Sequence, residues 1–279
     1  MKLAEAADML PLLDSLAHPT LSGHWLGRAV RADFDTLMTE LSDARYLGAC
    51  AIGLDGVGGY DHVNFIEHCN AHPGLIPIAG FNPTRDASPE DMFALRRMGY
   101  RGVKIHPRFS GLTRRLDSLG PSLRAAGTAG LTVFFCTYMH CGLADHPIRD
   151  PFLSLVDLLC QAPGTRVILV HGGDVEVLRY AELVRFNANL LLDLSLTMMK
   201  YPGSSVDLDL AFLFRHFDRR ICIGTDWPEH SPRQVRQRFE EFAGDLPDDK
   251  RHNIAYRNLY HFLGLDDEFS PLHHVTDQR

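Results

Sequence analysis

The sequence predicts a (β/α)₈ barrel, on three observations. Apolar strand-like runs and amphipathic helix-like runs alternate from one end of the chain to the other. There are eight such units, at intervals of about 30 residues, the spacing of an ordinary barrel of this class. The strand-like runs are almost continuously apolar, as suits a parallel sheet covered on both faces. The rival, an open doubly wound sheet, would carry a GxGxxG turn after its first strand. None occurs there, and eight units favour closure.

The elements follow in order. Leu10 to His18 reads as the first strand, and a helix fits Asp33 to Tyr46. Ala49 to Leu54 is the second strand, with a helix from Tyr60 to Asn70. Leu75 to Asn82 is the third. The helix after it starts near Ser88-Pro89-Glu90-Asp91, a serine cap with proline at the first helical position. Val103 to His106 is the fourth strand, and Leu119 to Ala129 its helix. Leu131 to Cys136 is the fifth, with a helix from Pro151 to Cys160. Val167 to His171 and Leu190 to Ser195 are the sixth and seventh, with helices over Val175 to Phe186 and Val206 to Phe217. Ile221 to Thr225 is the eighth, and two further helices, Pro232 to Phe242 and Asp248 to Phe262, complete the chain.

Composition bounds the rest. The 279 residues are 45% hydrophobic and 23% charged, which suits one α/β domain over 1–279 with extra carboxyl-terminal helices. A formal charge of -7 argues against nucleic acid as a partner. No apolar run is long enough for a bilayer, so no membrane partner is expected. The start, Met1-Lys2-Leu3-Ala4-Glu5, lacks a basic region leading into an apolar core, so no secretory signal is expected. The six cysteines form no CxxC pair or disulfide-like framework, which fits reduced thiols and a cytoplasmic location. A homodimer is the commonest soluble assembly and is the default expectation. Of the 15 histidines, His24, His62, His68 and His72 read as surface or loop residues, as do His273 and His274.

The function is written at the strand exits. In a barrel of this class catalytic groups sit at the carboxyl ends of strands. Here those ends carry Asp14 and His18, Asp55, Asn82, then Lys104, His106 and Arg108. Cys136, Thr137, Tyr138 and His140 follow the fifth strand, His171 the sixth, Asp193 and Ser195 the seventh, and Asp226 the eighth. Strand alternation puts Lys104, His106 and Arg108 on one face. Such polar groups gathered at a rim need a reason, because burying them unpaired is costly. His171 before Gly172-Gly173 is hard to explain as packing. Asp226 before Trp227-Pro228 could instead cap a helix, Cys136 could be a plain buried thiol, and Lys104 and Arg108 could pair with carboxylates such as Asp193.

Four motifs carry a resemblance that covers essentially the whole chain. They are Asp14-Ser15-Leu16-Ala17-His18, Gly102-Val103-Lys104-Ile105-His106-Pro107, Val170-His171-Gly172-Gly173 and Gly224-Thr225-Asp226-Trp227-Pro228. With the ending Asn253 to Tyr260, the chain resembles the amidohydrolase-related family of metal-dependent hydrolase TIM barrels. The branch is that of the decarboxylase-like and pyrone-dicarboxylate lactonase-like enzymes. The resemblance implies a divalent metal, zinc first, on His18, Cys136, His171 and Asp226. Leu16 and Cys136 stand where the family usually has ligand histidines, and the lactonase-like branch is a precedent for working without metal.

The resemblance implies a hydrolase of a small anionic lactone, ester or amide. Asp226 would activate water, with His171 and His106 as the other catalytic groups, and Lys104, Arg108, Tyr138 and Asn82 would bind substrate. Two alternatives are a non-oxidative decarboxylase of a small carboxylic acid and a barrel that has lost catalysis and binds a small molecule or a protein. The loops Gly56–Tyr60, Phe109–Arg115, Tyr138–Arg149 and Thr197–Ser205 would set specificity. Within the last, Lys200-Tyr201-Pro202-Gly203 reads as a lid or a plain turn.

Overall fold

Parallel strands wind around one axis in a computed structural model that describes residues 9–82 and 88–265. His273 and His274 lie outside the described residues. The strands are β1 (Leu12–Ala17), β2 (Tyr46–Ile52), β3 (Leu75–Phe81), β4 (Gly102–Ile105), β5 (Thr132–Cys136), β6 (Val167–Val170), β7 (Leu190–Asp193) and β8 (Ile221–Cys222). They pair in chain order. β1 and the segment after β8 close the ring. Ser15 N donates to Ile223 O (3.0 Å), Asp226 N to Leu16 O (2.8 Å) and His18 N to Trp227 O (2.8 Å). The expected (β/α)₈ TIM barrel is the observed fold.

Helices follow each strand because the sequence caps them. α1 (Phe34–Asp43) starts at Asp33, whose carboxylate accepts from Thr36 N. α2 (His62–Ala71) starts at Asp61 in the same way. α3 (Pro89–Met98) has the full capping box of Ser88 and Asp91. α4 (Gly120–Thr128), α5 (Pro151–Cys160) and α6 (Val177–Arg185) lie close to their expected bounds. α7 (Thr197–Lys200) is a single turn that the sequence pattern did not announce. α8 (Ser205–His216) and α9 (Pro232–Ala243) complete the outer ring.

Two differences from expectation have physical causes. The eighth strand was expected to run to Thr225, but its ladder stops at Cys222. Gly224 lies against β1 so closely that a Cβ there would be 2.5 Å from Ser15 Oγ. Thr225 turns its hydroxyl to Asp14 Oδ2 (2.6 Å) instead of extending the sheet. The last helix, expected as one piece, is α10 (Asp248–His252), a wide π turn over Asn253–Arg257, and α11 (Asn258–Leu263). This wide turn brings Asn258 Nδ2 onto Asp218 O (2.6 Å) and Ile221 O (2.8 Å).

The barrel interior is layered. At the strand starts, Leu259, Tyr260, Phe262 and Leu263 of α11 pack with Leu13, Phe134, Ile168 and Leu191 from the strands. Above that apolar floor lies a polar layer, wholly buried and internally satisfied. Asp14 accepts from Leu16 N (2.9 Å), Thr225 N (2.9 Å) and Thr225 Oγ1. Asp193 accepts from the Ser15 and Ser195 hydroxyls and from His171 N (3.1 Å). No helix among the described residues is long and apolar enough to cross a membrane.

Candidate active site

Above the polar layer, the strand exits open into a cavity of about 110 Å³. His18, Lys104, His106, Arg108, His171 and Asp226 all line it. Four strands (β1, β4, β6 and β8) therefore contribute these residues, and strongly bent backbone aims two of them. His171 has φ 68° and Asp226 has φ 54°. Such left-handed non-glycine residues cost about 1–3 kcal/mol each and persist only where their surroundings dictate them. For Asp226 the dictating contact is its own N–H on Leu16 O. For His171 it is the turn that follows, where a Cβ on Gly173 would sit 2.0 Å from the Tyr180 ring. Asp174, next in line, is also left-handed, at φ 58°.

His18 reaches Asp226 Oδ1 through Nε2 at 3.4 Å, while its Nδ1 faces Ile52 O at 3.2 Å. Trp25 stacks on the His18 ring with centroids 5.3 Å apart. Burial alone would raise the Asp226 carboxyl. The charge of His171 and the hydrogen bond from His18 overturn that and hold it well below the usual carboxylate range. His171 is the reciprocal case. Burial opposes its protonation, but Asp226 and the adjacent Cys136 sulfur raise its proton affinity above the ordinary value. Its Nδ1 faces Ser195 Oγ (3.1 Å) and Ser195 O (3.2 Å), so its Nε2 is the nitrogen left for the site.

The remaining residues divide. Burial lowers the proton affinity of His106, and Phe109 stacks on it at 4.0 Å and 6°. Arg108 lies over the Tyr138 ring at 4.6 Å, and its Nε is buried without a partner. Tyr138 itself stands at the edge of the site, its hydroxyl accepting from Lys200 Nζ (2.9 Å). Asn82 is not in the cavity wall; its amide donates to Asp55 Oδ2 (3.0 Å). Cys136 is fully buried and does not line the cavity. Burial would raise its thiol, but hydrogen bonds and charge from His106 and His171 draw it well below the ordinary value.

The four side chains implied as metal ligands do not form a cage. Leu16 offers no donor. His18 Nε2 is directed at Asp226, and Cys136 hydrogen-bonds His106 and His171. Among the described residues no three His, Cys, Asp or Glu side chains converge to hold a metal ion. As they stand, these residues do not fit a catalytic zinc, which needs three protein ligands around an open position.

The structure brings in residues that the sequence does not single out. Trp25, Leu196 and Glu229 line the cavity, beside Phe109 at the start of a loop expected to set specificity. Trp25 Nε1 donates to Glu229 Oε1 (2.7 Å). Asp174, buried beside the site, gathers Tyr201 OH (2.7 Å), His140 Nε2 (3.1 Å) and Lys200 Nζ (3.2 Å) on one oxygen. Its one signal in the sequence is its place directly after His171-Gly172-Gly173.

A family model described as Amidohydrolase matches residues 26–265. No curated protein matches the chain. Among solved structures, an uncharacterized TIM-barrel protein from Bordetella bronchiseptica is similar with a TM-score of 0.73 and 16% identity, over 92% of this chain and 99% of that one. A putative 2-pyrone-4,6-dicarboxylic acid hydrolase from Pseudomonas putida has a TM-score of 0.66 and 18% identity, over 92% and 99%. A 5-carboxyvanillate decarboxylase from Sphingomonas paucimobilis has a TM-score of 0.67 and 13% identity, over 92% and 99%. At these identities the structural likeness establishes the fold.

Proposed function

The chain belongs to the Amidohydrolase family, and from that premise we propose that it hydrolyses a small carboxylate-bearing lactone or ester without a resident metal. One observation carries the reading. Asp226 is held between His18 and His171 in the wall of a cavity that also receives Arg108. Arg108 anchors the substrate carboxylate, since a planar guanidinium matches it in two hydrogen bonds. His171, which holds its proton, donates from Nε2 to the carbonyl oxygen as negative charge develops there. Asp226 accepts the proton of the attacking water.

A carboxylate held that far down is a weak base in the empty site. Substrate changes this. An anion in the cavity offsets the positive charge that stabilises Asp226 and raises its proton affinity. The base is thereby strengthened only when substrate is present. The test is turnover of a panel of carboxylated lactones and esters by the wild type and by Asp226→Asn. Turnover that survives the substitution removes Asp226 from the mechanism.

A specific observation also favours non-oxidative decarboxylation. A carbon that loses carbon dioxide must be protonated, and His171 is a proton donor already in place. Product analysis separates the two readings, because one consumes water and the other releases carbon dioxide.

A further inference from the structure

The hydrolytic scheme leaves one nucleophile in the cavity without a task. Lys104 projects from β4 into the site, its side chain is 2% exposed, and its Nζ has no hydrogen-bond partner. The chain has only four lysines, at 2, 104, 200 and 250, among 28 basic residues. The two others in the described residues are conventionally paired. Lys200 Nζ meets Asp174 at 3.2 Å, and Lys250 Nζ meets Asp218 at 3.3 Å. Arginine serves nearly everywhere else. An arginine at 104 would supply a permanent charge. A lysine supplies an amine that can shed its proton.

We infer that Lys104 is an imine-forming amine, and that its ligand is a small 2-oxo acid whose carboxylate is taken by Arg108. Two geometric facts support this. Lys104 Nζ and Arg108 Nε are both buried in the same site and both lack a partner, so a ligand must satisfy two nitrogens. A carbonyl carbon next to a carboxylate answers both. No ion pair within 4.0 Å ties up the Lys104 amine among the described residues, so nothing must be broken before it attacks. Burial, its largest influence, also lowers the proton affinity of this amine, against the opposing pull of Cys136, Asp226 and Asp193. A lysine desolvated in its pocket is a usual form of activated amine nucleophile.

The step balances without a further reagent. The Lys104 nitrogen lone pair adds to the carbonyl carbon, forming the C–N bond. The carbonyl oxygen takes up the two protons that leave the amine, through Asp226 and His171, and departs as water as the C–O bond breaks. Nothing is oxidised or reduced. This activity goes beyond the hydrolytic reading and can be seen without turnover.

The test is reductive trapping. Full-length protein is incubated with pyruvate or, separately, with acetone, in the presence of cyanoborohydride, and adducts are located by peptide mass mapping. Pyruvate should label Lys104 at least about ten-fold faster than Lys2, Lys200 or Lys250, because an ordinary lysine is almost wholly protonated at neutral pH. Lys104→Arg should lose the label. Acetone, which lacks the carboxylate, should label Lys104 at least several-fold more slowly, and Arg108→Leu should remove that difference. An unlabelled Lys104 in wild-type protein, or labelling spread evenly over the lysines, overturns the inference. Equal rates with pyruvate and acetone overturn the assignment of the acid. Lactone turnover without trapping would leave the hydrolytic reading standing alone, and trapping without lactone turnover would do the reverse.

Discussion

The two ends of the barrel are built on opposite rules. At the strand starts, α11 pushes Leu259, Phe262 and Leu263 against the interior, and Asn258 makes good hydrogen bonds to β8 and the turn before it. At the strand exits, the backbone is left-handed at His171, Asp174 and Asp226, and Lys104 Nζ and Arg108 Nε lack partners. The floor packs apolar side chains, although Thr132 Oγ1 and Arg220 Nε lack partners near the strand starts and Arg45 is left-handed just before β2, whereas the rim gathers its bent backbone and unpaired nitrogens around one cavity. This separation lets a barrel carry reactive side chains and remain folded, because the cost at one end is offset by apolar burial at the other.

The sharpest way to break the comparison is Asp226→Asn. It should lower turnover by about 10²–10⁴-fold, the usual worth of a positioned acid or base. It should also lower the thermal midpoint, because the His171 and His18 contacts that hold this carboxyl low favour the folded chain. Full turnover with an unchanged midpoint would show that the rim carboxylate is neither reactive nor coupled to its neighbours.

The layer between the two ends gives the next effect. Burial pushes the Asp14 carboxyl up to about 7, the hydrogen bonds from Thr225 and Leu16 only partly opposing it. A group whose folded value lies above its unfolded value holds its proton in the native state after the unfolded chain has lost it. Its contribution is thus complete at low pH and falls as pH rises from about 4 to about 7, by up to roughly 4 kcal/mol. Asp14→Asn should flatten that fall. Its amide can donate to Thr225 Oγ1, which can turn its own proton to Leu16 O. Urea denaturation from pH 4 to 8 measures both proteins, and an unchanged slope would take Asp14 out of the account.

At the floor, Leu259→Ala should cost about 2–5 kcal/mol in urea unfolding and leave activity per folded molecule intact. Asn258→Ala should cost less, about 1–2 kcal/mol, through the two carbonyls it leaves without their donor. If either changed substrate affinity, the two ends would be coupled more tightly than their layering suggests.

Most of the fold was legible because apolar runs ended at ionisable residues. Lys104, His106, His171 and Asp226 marked their strand ends by being out of place among valines and isoleucines. A serine cap followed by proline marked the start of α3 at Ser88. What could not be read was pairing across the barrel. Nothing in the chain announces that Ser15 and Asp193 share a hydrogen bond, or that Thr225 turns from the sheet towards Asp14. Trp25 and Glu229 come from loops without periodicity, so their meeting beside the cavity left no local trace. Asn82 looked like a strand-exit residue of the usual kind, and only tertiary structure directs its amide to Asp55. The resemblance implied a divalent metal, while among the described residues no three His, Cys, Asp or Glu side chains converge to hold one.

The seam of the barrel bears on how the protein is made. His18 and Asp226 touch across the junction of the first strand with the segment after the last, and Leu16 O orients Asp226 through its own N–H. These partners are about as far apart in the chain as the fold allows. Contacts of such sequence separation are entropically the most expensive to form and tend to come late. On the ribosome, no earlier strands can substitute for them. A nascent chain can acquire secondary structure and bury apolar surface while Asp226 still lacks its His18 and Leu16 partners. That arrangement therefore arrives with ring closure, after Trp227 has emerged and found β1.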